Sequence, residues 1–498
     1  MEDYKRQFIS FLLQTEALNV FEKSSDDRTL KSKRISPWFV NIGDFDDGET
    51  SATLGRFYAD AISNAECKFD LLYGIPDKGR EIVVATANEM ARKGNNVPRF
   101  STRRVPKDHG EASSVSYGSA RTIKEFIEAS KNISQSDRMK AWVVGRAPKN
   151  GQAIVQLDDV FTAGDAKYEA LDMLKFLGDF NLPLLAIAVD RQEVAIDSRE
   201  AIAEYQEKTG IRVVSIVNAV DVYNVLKEGK LAPERALERM ANYLRVYGTA
   251  AARRQLGKSL EQRIIEADRS VIPACDVSLE TFERLVGETA DVPGIGAYKI
   301  PAISGRKGWE TWVSTAKKYT NKPLIYDHQK AGNDIVDPTP KDMVRNLKES
   351  GFDAVIVFAH SGPESERSWI FQCLDQGLKV IAGGWMTHPA YTVSEGGFIT
   401  DQGAIDMYRI AARAGVNHFV VPGNKPDVIQ KVREIIEAEG VSPTFYAPGF
   451  VAQGGKIGEA TKVAGNCWHA IVGRGIYETL DFRKAAMEHT SQLIEQKQ

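Results

Sequence analysis

The sequence predicts an α/β protein in two parts: a mostly parallel sheet flanked by helices, followed by a ring of eight β/α units. Three observations carry this. Short apolar runs alternate with helix-periodic segments along most of the chain. A charged, alanine-rich, helix-prone stretch interrupts the alternation, from Pro233 to Glu266. Beyond it, eight strand-like runs fall within about 230 residues, which is the size of a TIM (β/α)8 barrel. At 498 residues the chain also exceeds what one hydrophobic core serves.

The elements follow in order. The N-terminus has one short apolar patch, Phe8 to Leu13, among early acids, which predicts an amphipathic surface helix rather than a signal peptide. Strands are expected at "KFDLLYG", "PRFSTRR", "AIVQLDD", "PLLAIAVD" and "RVVSIVN", closing a first domain over residues 1–232. Residues 233–266 read as a helical connector. The barrel, 267–498, would use "SVIPAC", "AYKIPAI", "PLIYD", "DAVIVFA", "LKVIA", "HFVVP", "PTFYA" and "HAIVG", separated by helices such as "GAIDMYRIAARAG". In that fold chemistry sits just after the C-terminal ends of the strands.

Composition narrows the function classes. A net charge of −3 gives no global drive toward nucleic acid or an anionic membrane, so any phosphate must be held by local clusters. No apolar run is long enough to span a bilayer. The four cysteines, Cys67, Cys275, Cys373 and Cys467, show no metal-ligand spacing and read as reduced thiols of a cytoplasmic protein.

The first chemical signal is "AIVQLDDVFTAGDAK". A strand ends in two carboxylates, Asp158 and Asp159, then a small turn, Thr162-Ala163-Gly164, opens a helix. Free N–H groups at such a turn suit a phosphate, and the acids before it suit hydroxyls. Together they describe a ribose phosphate. An ordinary βα turn with a capping aspartate fits the same window.

"VQLDDVFTAG" resembles the phosphoribosyl-pyrophosphate motif of the type I phosphoribosyltransferases. "RRVPKDHGE" is similar to the mobile catalytic loop of orotate phosphoribosyltransferase, with Arg103, Arg104, Lys107 and His109 suited to a pyrophosphate leaving group. Arg104 stands where that family usually has lysine. "TLKSKRISPWFVN" resembles the orotate-binding segment, which implies Lys31 at the orotate carboxylate and Phe39 against its ring. "YGIPDKG" implies Lys78 toward pyrophosphate, and "VDRQE" implies Arg191 toward the pyrimidine. Singly, each basic residue reads as a surface charge. In family order they cover the first domain.

The second half is led by "PLIYDHQKAGNDI", where Asp327, Lys330 and Asp334 follow a strand, and by Lys299, which interrupts the apolar run "AYKIPAI". A lysine inside a barrel strand must meet a carboxylate, because an unpaired buried ammonium is costly. A structural salt bridge would satisfy that as well as a catalytic one. The set resembles the lysine–aspartate array of orotidine 5′-monophosphate decarboxylase, although the spacing is Asp-x-x-Lys-x-x-x-Asp, which reads as a bulge after the strand. The same resemblance implies Asp276 at the ribose, Thr387 at the pyrimidine, and Gln453, Gly454, Gly455 and Arg474 at the 5′-phosphate.

The two resemblances imply consecutive reactions, as in bifunctional UMP synthases: orotate and phosphoribosyl pyrophosphate to orotidine 5′-monophosphate, then to UMP. They also imply Mg²⁺ for the transferase half, held mainly through phosphoribosyl pyrophosphate, and no cofactor for the decarboxylase half. A homodimer or higher homo-oligomer is expected, with Asp334 reaching the neighbouring site, and no nucleic-acid or membrane partner. Two alternatives stay open: a Mg²⁺-dependent sugar-phosphate barrel of the hexulose-phosphate synthase type, and a nucleotide-sensing regulator.

Overall fold

A computed structural model describes residues 1–30, 32–107, 122–129, 132–161, 165–196, 198–257, 263–302, 308–328, 339–451 and 453–494. The chain divides into two compact units, Met1–Leu244 and Arg245–Gln498. The division falls inside helix Glu234–Tyr247, within the stretch that the sequence reading assigned to a connector.

The first unit opens with a helix, Asp3–Gln14, that buries Phe8, Ile9 and Leu12. Four short strands follow: β1 (Leu18–Val20), β2 (Arg28–Thr29), β3 (Ile35–Ser36) and β4 (Trp38–Val40). They make two antiparallel pairs, β1 with β4 and β2 with β3. The main sheet uses β5 (Leu71–Gly74), β6 (Arg99–Thr102), β7 (Val143–Gly145), β8 (Ala153–Val160), β9 (Asn181–Asp190) and β10 (Arg212–Asn218). Its order is β10-β9-β8-β5-β6-β7, parallel throughout except for β6 with β7.

The five parallel strands are the five expected from the apolar runs, because strands covered on both faces need continuous apolar sequence. β7 and the short N-terminal pairs escaped that pattern, being two or three residues long and partly exposed. Helix Asp165–Leu177 packs Leu171, Met173, Leu174 and Leu177 into the core, as the helical spacing after β8 predicts.

Helix Glu234–Tyr247 is fastened by a buried charge. The Arg239 guanidinium donates to both carboxylate oxygens of Asp27, at 2.8 and 2.7 Å, and to the carbonyl of Phe21 at 2.9 Å. Both side chains are almost fully buried, 1% and 2% exposed.

The second unit holds β11 (Arg269–Pro273), β12 (Tyr298–Pro301), β13 (Leu324–Asp327), β14 (Ala354–Phe358), β15 (Lys379–Gly383), β16 (His418–Val420), β17 (Thr444–Ala447) and β18 (Trp468–Val472). All eight strands expected from sequence are present. They pair in parallel in the order β11-β18-β17-β16-β15-β14-β13-β12. Parallel bridges between Val271 and Ile295 and between Ala274 and Lys299 complete the circle, giving a (β/α)8 barrel.

Its interior is filled by Ile272, Ile325, Ile356, Ile381, Tyr446 and Ile471 among others. Alternation then fixes what else points inward. Lys299 lies two residues after Ala297, and Asp327 two after Ile325, so both face the interior at the C-terminal end. Ser270, His418 and His469 lie two residues before inward positions, giving a polar layer toward the N-terminal end. There Ser270 Oγ meets His469 Nδ1 at 2.9 Å, and the Tyr446 hydroxyl meets His418 Nδ1 at 3.3 Å. Among the described residues no helix is long and apolar enough to cross a membrane, and the four cysteines are free.

Two consequences can be measured. Asp27→Ala would leave the Arg239 guanidinium buried without its carboxylate, and should cost about 3–5 kcal/mol in urea unfolding of the first unit. A loss within the roughly 0.5 kcal/mol usual for surface changes would remove the pair as a fastening. The second concerns pH. Burial, with the neighbouring His418 adding to it, lowers His469 to about 3, whereas an unfolded histidine protonates near pH ~6.5. The neutral ring therefore contributes stability that is present above ~6.5 and is lost as pH falls toward the folded value. His469→Gln should flatten the decline of the barrel's thermal midpoint between pH 7 and pH 4. An unchanged slope would acquit His469.

Candidate active sites

In the first unit the strand ends β5, β6 and β8 converge. Gly74 and Gly79 allow this, because a Cβ on Gly74 would collide with the carbonyl of Gly79, and one on Gly79 would stand 2.5 Å from the carbonyl of Leu157. The turn between them carries Asp77 and Lys78 against β8. Lys78 Nζ lies 3.9 Å from Asp159, and the Arg104 guanidinium grips Asp77 through two contacts of 2.8 and 2.7 Å. Arg103 and Lys107 are placed by their own backbone N–H groups, which donate to the carbonyls of Trp142 and Ala141 at 2.9 Å each. The start of the expected catalytic loop is therefore tied to the last turn of helix Gln135–Trp142, just before β7.

The two strand-end acids have different fates. Asp158 is buried and pairs with Lys167 at 2.7 Å. Burial raises its carboxyl, Lys167 opposes that, and Asp159 adds to it. Asp159 keeps a 22% exposed side chain and is the one that meets Lys78. No pattern in the sequence marks Lys167 as the partner; only the return of its helix against β8 does so.

Arg191, at the end of β9, stacks over the Trp38 ring at 4.0 Å and reaches Ser36 Oγ at 3.0 Å and Glu193 at 2.8 Å. Arg34 donates to the carbonyl of Val194 at 2.6 Å. The structure thus joins the segment "KRISPWFVN" to "DRQE", and Phe39 sits beside Trp38 in β4, partly exposed. Trp38, Ser36 and Asp77 are site neighbours that the sequence reading did not single out.

In the barrel a cavity of about 530 Å³ opens at the C-terminal end of the strands. Asp276, Lys299, Thr387, Gln453 and Arg474 line it, so five expected positions from three loops, one strand and the start of the short helix Arg474–Tyr477 meet in one place. Lys299 is ion-paired with the fully buried Asp327 and lies 3.6 Å from Asp276. Burial alone would lower its ammonium, but Asp327 and then Asp276 outweigh that and hold it above the ordinary lysine value. Gly454 and Gly455 are not among the residues that line this cavity; Gly455 lines a separate pocket with Lys456 and Lys462, and its N–H donates to the carbonyl of Gly449 at 3.1 Å. Trp385, Met386, His388 and Tyr477 also line the cavity. "WMTHP" carried three of these in plain view; Tyr477 has no signal in sequence.

Lys31, His109, Thr162, Ala163, Gly164, Lys330 and Asp334 lie outside the described residues. Among the described residues no group of three or more His, Cys, Asp or Glu side chains is placed to hold a metal ion. The exposed Asp159 fits a cation whose other ligands are substrate oxygens, whereas Asp158 is already engaged by Lys167.

No family model matches the chain. The chain is 34% identical over 229 residues to an orotate phosphoribosyltransferase of Thioalkalivibrio sulfidiphilus, covering 91% of that protein and 46% of this one. It is 34% identical over 250 residues to the orotate phosphoribosyltransferase of Marinobacter nauticus, covering 100% of that protein and 50% of this one. Among solved structures, an orotidine 5′-monophosphate decarboxylase from Methanocaldococcus jannaschii, complexed with inhibitor BMP, matches at 23% identity with a TM-score of 0.40, covering 98% of that chain and 45% of this one. Identity at that level along nearly the whole length of its relatives settles the family: the chain belongs to the orotate phosphoribosyltransferases.

Proposed function

We propose that the chain is a bifunctional enzyme of the UMP synthase kind: its first unit makes orotidine 5′-monophosphate and its second decarboxylates that product to UMP. The observation that carries this is the meeting of Asp276, Lys299, Thr387, Gln453 and Arg474 in one barrel cavity, on the same chain as an orotate phosphoribosyltransferase unit. Each assignment makes sense of the other, because the product of the first reaction is the substrate of the second.

In the first reaction orotate N1 attacks the ribose carbon as the bond to pyrophosphate breaks. Asp159 favours the positive charge that develops on the sugar, and Asp158 acts behind it, already neutralised in part by Lys167. Lys78, Arg103, Arg104 and Lys107, with His109, stabilise the departing anion. Arg104 and Lys78 are held on Asp77 and Asp159, so substrate phosphates would take over cations that carboxylates now occupy. Mg²⁺, bound through substrate oxygens with Asp159 nearby, would neutralise further charge on the leaving group. Lys31, Phe39 and Arg191 orient the pyrimidine, and Thr162 to Gly164 cradle the 5-phosphate.

In the second reaction the bond from C6 to the carboxylate breaks, CO2 leaves, and the electron pair remains on C6. Asp327 sets a negative charge against the substrate carboxylate, Lys330 stabilises the carbanion and gives it a proton, and Lys299 with Asp334 completes the alternating array. Arg474, Gln453, Gly454 and Gly455 hold the phosphate far from the bond that breaks, where binding energy still assists the reaction. A shared dimer site, with Asp334 supplied by the neighbouring subunit, belongs to this reading.

The test is direct. Purified chain given orotate, phosphoribosyl pyrophosphate and Mg²⁺ should release CO2 and form UMP. EDTA should stop the transferase and leave decarboxylation of supplied orotidine 5′-monophosphate intact. A barrel reaction that needs metal would favour the sugar-phosphate alternative, and binding without turnover would favour a regulator. Single substitutions separate the two units further. Lys107→Ala should abolish the transferase and spare the decarboxylase. Arg474→Ala should raise the decarboxylase KM by at least ~10-fold, the loss expected for one charge-assisted phosphate contact. An unchanged KM would remove Arg474 from the phosphate site.

A further inference from the structure

The cavity wall Trp385–His388 begins a long strand-to-helix connection, running from β15 to helix Asp401–Arg413. One carboxylate on that connection gathers three donors. Glu395 accepts from the Trp385 indole N–H at 3.1 Å and from the Tyr391 backbone N–H at 3.2 Å, and it pairs with Lys425 at 2.5 Å. Burial would raise this carboxyl, but the contacts from Lys425, Trp385 and Tyr391 prevail and hold it below the usual range, so it stays ionised.

Lys425 and its neighbour Asn424 reach the cavity wall from the loop after β16. Lys425 Nζ also contacts the carbonyl of His388 at 3.4 Å. Asn424 Nδ2 donates to the carbonyl of Thr387 at 3.0 Å and to that of Gln453 at 3.4 Å. The three loops meet at Gly449, whose φ of +106° suits glycine. A Cβ there would stand 3.0 Å from Thr387, 3.1 Å from Asn424 and 3.2 Å from Gln453.

From this geometry we infer that Glu395, acting through Lys425 and Trp385, is a positioning residue that holds the Trp385–His388 wall against the pyrimidine ring and so sets nucleobase selectivity. The inference rests on the decarboxylase reading of the barrel. Glu395 does not line the cavity itself. Its effect belongs to recognition of the ring, because the contacts of Glu395 and Lys425 run to Trp385 and His388 of that wall and to Tyr391 beyond it, whereas Arg474 is carried by the end of β18.

The experiment uses the full chain with Glu395→Gln, Lys425→Met and the double variant. Orotate phosphoribosyl transfer by the same chain and the barrel's thermal midpoint serve as folding controls. For Glu395→Gln, the KM for orotidine 5′-monophosphate and the inhibition constant of UMP should both rise roughly tenfold, as for a lost charged hydrogen bond. The inhibition constant of ribose 5-phosphate, which lacks the ring, should stay within a factor of about two. The double variant should be no worse than the worse single one, since both changes break one contact. Equal weakening of UMP and ribose 5-phosphate, multiplicative effects in the double variant, or an unchanged KM would each overturn the inference. If Glu395→Gln does not fold, Lys425→Met reads the same contact from its other end. A wild-type chain that neither decarboxylates nor binds UMP would refute the decarboxylase reading and this inference with it. An active wild type with unaffected variants would refute the role of Glu395 alone.

Discussion

The ion pair of Lys299 with Asp327 sets the terms for the barrel. An ammonium inside a barrel strand loses most of its hydration, and the cost is tolerable only with a carboxylate in direct contact. Both residues reach the interior because the strands alternate, each lying two positions beyond an apolar inward residue. The pair then stands at the C-terminal ends of β12 and β13, with Asp276 3.6 Å from the same ammonium. Replacing such a buried pair with well-packed apolar residues of similar volume is often neutral or stabilising. Lys299 lines the cavity and Asp327 lies buried behind it, so the pair brings charge to the cavity wall.

The first unit follows the same rule at its surface. Four cations near its strand ends are each met by an acid of the chain itself: Lys78 by Asp159, Arg104 by Asp77, Lys167 by Asp158, Arg191 by Glu193. A protein of net charge −3 can present a locally basic site in this way without becoming basic overall. The exposed pairs are weak, because solvent screens them, and so they can exchange a carboxylate for a phosphate at little cost. The buried pair of Asp158 and Lys167 cannot do so, which separates a structural acid from a neighbouring open one within a single dipeptide.

Much of the architecture was legible in the sequence. The eight barrel strands and the five parallel strands of the first sheet announce themselves as apolar runs, because burial on both faces demands them. β7 and the N-terminal pairs carry too few residues to show a period, and their edges face solvent. At the sites, Lys299 was legible as an intruder in an apolar run, and Arg474 and Gln453 as neighbours of glycine-rich strand ends. The partners were not: Lys167 on Asp158, Asp77 on Arg104, Trp38 under Arg191, and Tyr477 in the cavity wall all depend on contacts across loops.

The sequence by itself determined which segments become strands and helices, the closure of eight units into a barrel, and the residue types offered at each strand end. Those follow from local period and from the cost of burying polar groups, which act wherever the chain goes. Only the tertiary structure decided which charges meet. Helix Asp165–Leu177 returns over β8 and brings Lys167 to Asp158 rather than Asp159, and the loop after β16 carries Lys425 to Glu395 across 30 residues. Such pairings turn on ångström-scale distances between segments far apart in sequence, and Coulomb energy, which falls with distance and with exposure, is set by those distances and not by the order of residues.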